Sequence, residues 1–173
     1  EAYGVTTVNY NRDVEIFPVV NAMFTRIWGE SPYKSPTDMG VNMVGYCIVD
    51  DEAVSDAANQ EIIRRYYAAQ CARRQGNGPA EVVDKLRLIM HQAGLSESDR
   101  PVVAAALEKE RALGGEPATA IELPDGTILT GKTSLLMGST SAALLDALKY
   151  LAGIEDGLHL ISPEVIEPIQ DLK

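Results

Sequence analysis

Gly126, Gly131, Lys132 and Thr133 stand at the spacing G-x-x-x-x-G-K-[ST]. In that pattern the backbone N–H groups of a loop cradle phosphates, the lysine reaches the terminal ones and the hydroxyl binds Mg²⁺. The chemistry needs a strand before the first glycine and a helix that starts at the lysine. The surrounding residues predict otherwise. Pro124, Asp125 and Gly126 form a hairpin turn, and Thr127, Ile128, Leu129 and Thr130 are β-prone. The next helix starts near Ser139, behind Gly138. A strand cannot wrap a phosphate, so the match is read as spurious and the cofactor is left unassigned. Ser139 or Thr140 has the chemistry to present a helix N-terminus to an anion, but ordinary capping is the simpler use.

Two other segments are dense in polar chemistry. Asn9 to Asp13 packs amide, phenol, guanidinium and carboxylate into five residues at a helix entrance. Ser31 to Asn42 is a long loop carrying Lys34, Ser35, Asp38 and Asn42, and loops of this kind often carry function. Asn11, Arg12, Lys34, Ser35, Asp38 and Asn42 are therefore expected on one exposed cleft, with Lys132 and Thr133 on its far wall. Arg12, Lys34 and Lys132 would supply positive charge to an anionic ligand. Asp13 and Asp38 are the candidate acid/base or metal-facing groups. A cap plus an Arg–Asp pair, and a proline-stiffened connector, are the plainer readings of the same residues.

Metal and nucleophile chemistry find less. Cys47, Cys71, His91 and His159 share no ligand spacing such as C-x-x-C or H-x-x-x-H, so no metal site is expected. There is no G-x-S-x-G elbow. His91 falls on the polar face of its helix, and His159, alternating with Leu158 and Leu160, is expected to be half-buried.

Composition narrows the function classes. The net charge is −10 over 173 residues, which disfavours nucleic acid and anionic membrane surfaces as partners, since both need a positive field. Hydrophobic residues are 46% and charged residues 23%, as in ordinary globular chains rather than disordered ones. Two cysteines are too few for a disulfide framework, and no apolar run approaches a membrane span. With no leader pattern either, a cytoplasmic location is expected. The first residue is Glu1 and the last is Lys173, just after the periodic run Val165, Ile166, Ile169 and Leu172, which suggests a fragment of a longer protein.

Periodicity supplies the elements that must position these groups. Residues 1–10 are β-prone. A helix capped by Asp13 runs to about Trp28, with Pro18 near its first turn and Gly29 behind it. Met43 to Val49 reads as a buried strand or a buried helical turn. A long helix follows over 51–75, with Ala58, Ile62, Tyr66 and Ala69 on one seam. The helix at 80–93 is expected to bury Val82, Val83, Leu86, Met90 and Ala93, and the next has Val102 to Leu113 as its body. After Gly114 and Gly115 the pattern becomes β-β-α-β-α: a hairpin turning at 124–126, a helix from Ser139, a strand at 158–161 and a final helix opened by Ser162 and Pro163. The expected fold class is α+β: a mainly helical subdomain over 1–115, then a small and incomplete α/β subdomain over 116–173.

VNYNRDVEIFP (8–18), SPYKSPTDMGVNM (31–43), IVDDEAV (48–54), QEIIRRYY (60–67), AIELPDGTILTGKTS (120–134) and HLISPEVIEPIQ (159–170) resemble an uncharacterised bacterial family, family 0371. The resemblance spans nearly the whole chain. It implies a much longer protein with an upstream glycine-rich, phosphate-loop-like segment that is absent here. It also implies a helical subdomain followed by an α/β subdomain similar in layout to the cytidine-deaminase fold. The zinc motifs of that fold, His-x-Glu and Pro-Cys-x-x-Cys, are missing from the sequence, so the likeness carries no deaminase chemistry.

Two functions compete on these grounds. One is part of a cytoplasmic enzyme acting on a small anionic or phosphorylated ligand. The other is a structural or oligomerisation module of a larger protein, without catalytic residues in this segment. The expected partners are the remainder of its own chain and a second copy of it.

Overall fold

The computed structural model describes residues 10–171, apart from the side chain of Gln170. The β-prone reading of 1–9 lies outside the described residues, whereas Tyr10 already belongs to a helix. Two compact units divide between Asp99 and Arg100.

The first unit holds three α-helices: α1 (Tyr10–Trp28), α2 (Asp51–Arg74) and α3 (Ala80–Gln92). Because α1 begins at Tyr10, Asp13 sits in its first turn and does not cap it. Pro18 falls in the interior, where it removes one ladder hydrogen bond and leaves the Val14 carbonyl without its usual donor. Both Val14 and Pro18 are buried, so the apolar core takes the weakened turn. The cap of α2 is Asp50, whose Oδ1 accepts from the Ala53 N–H at 3.0 Å. Asp51 and Glu52 at one end of α2 and Arg73 and Arg74 at the other match the helix dipole.

The core of this unit is Val14 from α1, Ala58, Ile62, Ile63 and Tyr66 from α2, and Val83, Leu86, Ile89 and Met90 from α3. The seam expected on α2 is therefore the one it buries. On α3 the stripe is rotated: Val82 is exposed and Ile89 is buried in its place, as the i, i+3, i+6, i+7 spacing of 83, 86, 89 and 90 requires. The 43–49 stretch is neither buried strand nor buried helix. Asn42–Val44 is a short 3₁₀ turn closed by Gly45 at φ 101°, and Met43, Tyr46 and Val49 are exposed.

The second unit is α4 (Pro101–Ala112), β1 (Ala118–Glu122), β2 (Ile128–Lys132), α5 (Ser139–Ala152) and α6 (Pro163–Gln170). β1 and β2 pair antiparallel, with Ala118 opposite Lys132 and Glu122 opposite Ile128. Gly126 takes φ 82° at the turn, and the Thr127 N–H donates to Asp125 Oδ1 at 2.9 Å. Both α4 and α5 pack on this hairpin, which is why the unit boundary precedes α4 rather than following residue 115. The strand expected at 158–161 does not form; those residues are bends and irregular backbone, and His159 is exposed rather than half-buried. No strand partner is offered to them, because the sheet among the described residues has two strands. The architecture is α+β, with a two-stranded antiparallel sheet among the described residues.

Candidate functional site

The phosphate-loop match lies mostly on β2. Gly131 is a mid-strand residue, and α5 starts at Ser139 rather than at Lys132. A Cβ at Gly131 would overlap the Ala143 amide nitrogen and the Ser139 carbonyl oxygen, and would stand 2.8 Å from Ala143 Cα. The glycine is thus required by the close approach of α5 to the strand, with Ala143 and Ala147 buried on the facing helix. Thr133 is drawn to the start of β1, where its N–H and its hydroxyl both donate to the Pro117 carbonyl at 3.2 Å. Ser139 and Thr140 are likewise occupied, sharing hydroxyl hydrogen bonds with Thr119 at 2.9 and 3.3 Å.

In the first unit the expected cleft residues fall into two clusters. Lys34, Ser35, Asp38 and Asn42 are brought together in a strap that is hydrogen-bonded to itself. The Lys34 N–H donates to Asp38 Oδ2 at 2.8 Å, and the Asn42 amide donates to Asp38 Oδ1 at 2.9 Å. Those two bonds, the Lys34 one first, hold the Asp38 carboxyl below its usual range. Asn42 also exchanges a pair of 2.9 Å bonds with the backbone of Ile48. Ser35 is sealed from solvent, shares a 2.8 Å bond with Thr37 and donates to Asp51 Oδ1 at 2.8 Å. These groups satisfy one another and pin the strap to the start of α2.

Asn11 and Arg12 sit elsewhere, along a groove of about 560 Å³ shared with Glu15, Arg65 and Lys85. Arg65 ties α1 to α2. Its guanidinium donates to Asn11 O at 2.7 Å, Asn11 Oδ1 at 3.1 Å, Glu15 Oε1 at 2.9 Å and Glu61 Oε1 at 2.8 Å. Lys85 of α3 pairs with the other oxygen of Glu15. Burial alone would raise the Glu15 carboxyl, but the bonds from Lys85 and Arg65 outweigh it and lower the value. Glu61, held first by Arg64 and then by Arg65, is lowered to about 2. Asp13 is the exception, with a buried Oδ2 that finds no partner; burial raises its carboxyl.

A cavity of about 320 Å³ in the second unit gathers three lysines and a histidine. Lys109 comes from α4, Lys132 from the end of β2, Lys149 from α5 and His159 from the turn before α6. Asp146 is the one carboxylate in the lining, beside Thr130 and Ser134. Lys149 is only 8% exposed, and its ammonium donates to the Asp156 carbonyl at 2.6 Å. Lys109, Lys132 and His159 make no ion pair among the described residues. Leu136, Leu145, Leu160 and Ile166 complete the walls. Of these four residues only Lys132 was legible as a site residue. Lys149 carried a usable signal, since Ala142, Leu145 and Lys149 share a helix face at i, i+3, i+7, and a lysine on that stripe must be accommodated by something.

Among the described residues no group of His, Cys, Asp and Glu is placed to hold a metal ion, and no helix is long and apolar enough to cross a membrane.

Comparison with known proteins now adds the lineage. Residues 1–94 match the family "Domain of unknown function DUF1846, N-terminal", and residues 98–173 match its C-terminal counterpart. The chain belongs to the DUF1846 family. The first match ends at residue 94 and the second begins at residue 98, close to the division between Asp99 and Arg100. A UPF0371 protein of Corynebacterium urealyticum is 54% identical over all 173 residues, and one of Streptococcus thermophilus is 56% identical over the same span. A UPF0371 protein of Streptococcus pneumoniae is 53% identical, again over the whole chain. This DUF1846 chain spans 35% of the length of each of these relatives, so it corresponds to about a third of them.

Proposed function

We propose that this chain is the part of a longer enzyme that holds a small anionic or phosphorylated ligand, and that the ligand sits in the cavity of the second unit. One observation carries this reading. Lys109, Lys132, Lys149 and His159 line a single cavity against one carboxylate, Asp146, in a chain of net charge −10. Lysines kept only for solubility would be dispersed over the surface, whereas an anion needs several donors that converge. Lys132 belonged to the cleft expected from sequence; the side chains of Ser35 and Asn42 and the backbone N–H of Lys34 are engaged in the strap.

Amide and side-chain NMR of the labelled protein, titrated with inorganic phosphate, tests the location. Shifts are expected at Lys132, Lys149 and His159. Shifts confined to Asn11 and Arg12 would return the site to the groove of the first unit. A spectrum that does not respond would favour the second reading, a structural or oligomerisation module. That reading draws on the exposed apolar end of α1, where Met23, Ile27 and Trp28 are 56%, 64% and 65% exposed.

A further inference from the structure

The cationic cavity does not end at its polar groups. Leu136, Met137, Leu145, Ile161 and Ile166 line it and also line a second depression of about 350 Å³. The walls added there are Gly138, Ser141, Leu144 and Ile169, and neither depression beyond Asp146 contributes another carboxylate. The two spaces share those five residues as walls, with lysines in the lining of one and none in the lining of the other.

Local structure explains the polarity. On α5, Ala142, Leu145 and Lys149 face the cationic end, and Ser141, Leu144 and Leu145 face the apolar end. On α6, Ile166 and Ile169 lie three residues apart, so one face of that helix runs along the apolar end. Leu144 and Ile169 are 54% and 57% exposed, so the apolar depression opens to solvent. On the cationic side, Lys132 and Lys109 have no carboxylate partner among the described residues.

We propose, resting on the anion-binding reading above, that the ligand is an amphiphile: an anionic head held by Lys109, Lys132 and His159, and an aliphatic body laid in the groove between α5 and α6. Charge complementarity selects the head, and the apolar walls select the body. Lys149, tethered to the Asp156 carbonyl, positions the head through its remaining donors. A compact, fully hydrated anion would leave the Leu144–Ile169 end empty. A neutral hydrocarbon would leave the lysines without a counter-charge.

Calorimetric titration of the full chain with octyl phosphate, ethyl phosphate and octanol tests this, all below the concentrations at which they aggregate. Each buried methylene multiplies affinity by roughly threefold to fourfold at most, so octyl phosphate is expected to bind at least about tenfold more tightly than ethyl phosphate. Leu144→Asp, a change at an exposed position, is expected to weaken octyl phosphate by a larger factor than ethyl phosphate and so to remove that advantage. Lys132→Ala is expected to weaken both phosphates by roughly tenfold or more. Equal affinities for octyl and ethyl phosphate, both lost in Lys132→Ala, would overturn the amphiphile and keep the anion site. Octanol binding as well as octyl phosphate, or an octyl advantage that survives Leu144→Asp, would also overturn it. Binding of neither phosphate would remove the anion site itself.

Discussion

Gly131 carries the part of the phosphate-loop pattern that is easiest to misread. Its lack of a side chain serves helix–strand packing, because a Cβ there would overlap the backbone of α5. Gly131→Ala is therefore expected to cost about 2–3 kcal/mol by overpacking, read as a lowered urea midpoint with unchanged slope. A neutral effect would mean that α5 does not approach β2 so closely. Glu61 makes a second residue-scale case. Its carboxyl ionises near 2 in the folded chain against an ordinary 4.5, so its stabilising charge is fully present above pH 4.5. That contribution is lost as pH falls from 4.5 towards 2, where the folded form also takes up the proton. Urea midpoints measured across that window should fall less steeply in Glu61→Gln than in the parent. At neutral pH the same variant should lose about 0.5–1 kcal/mol, the scale of a partly exposed ion pair.

At the scale of elements, α1 is held to its neighbours by charge at one end and by Val14 and Pro18 in its middle. Arg65 is the hub: 17% exposed, it reaches Glu15 and the Asn11 backbone on α1 and Glu61 on its own helix. Arg65→Ala leaves Glu15 with Lys85 alone and removes the bonds from α2 to Asn11. The expected cost is about 2 kcal/mol. Amide exchange should locate it, with faster exchange over the first turns of α1 and protection retained in α2 and α3. Uniformly faster exchange in all three helices would show that α1 is integral to the α2–α3 pair. The interior Pro18 sharpens this expectation, because its turn already lacks one helical hydrogen bond.

For the molecule as a whole, the division between Asp99 and Arg100 has a thermodynamic consequence. The nine-residue core from Val14 to Met90 lies entirely in the first unit, and the hairpin with α4 and α5 lies entirely in the second. Residues 1–99 expressed alone are expected to keep their helical circular dichroism and to melt cooperatively. A fragment that unfolds without a transition would show that its core needs the other unit. The two family matches, over residues 1–94 and 98–173, divide close to the same point.

Much of this was written in the chain itself. Hydrophobic spacing determined α2 and its buried seam, and Pro124, Asp125 and Gly126 determined the hairpin, because both depend on neighbours close in sequence. Family membership too was carried by contiguous residue strings. Tertiary contacts decided the rest. They assigned α4 to the hairpin, turned Val82 outward and left 158–161 without a strand partner. The candidate site follows the same rule. Ser35, Asp38 and Asn42 looked like ligand donors until the fold supplied donors and acceptors to each of them. Lys109, Lys132, Lys149 and His159 come from four separate segments of the chain, and no local pattern can announce that these four side chains meet in one cavity. Spacing in sequence fixes which side chains share a face, whereas only packing fixes which faces meet.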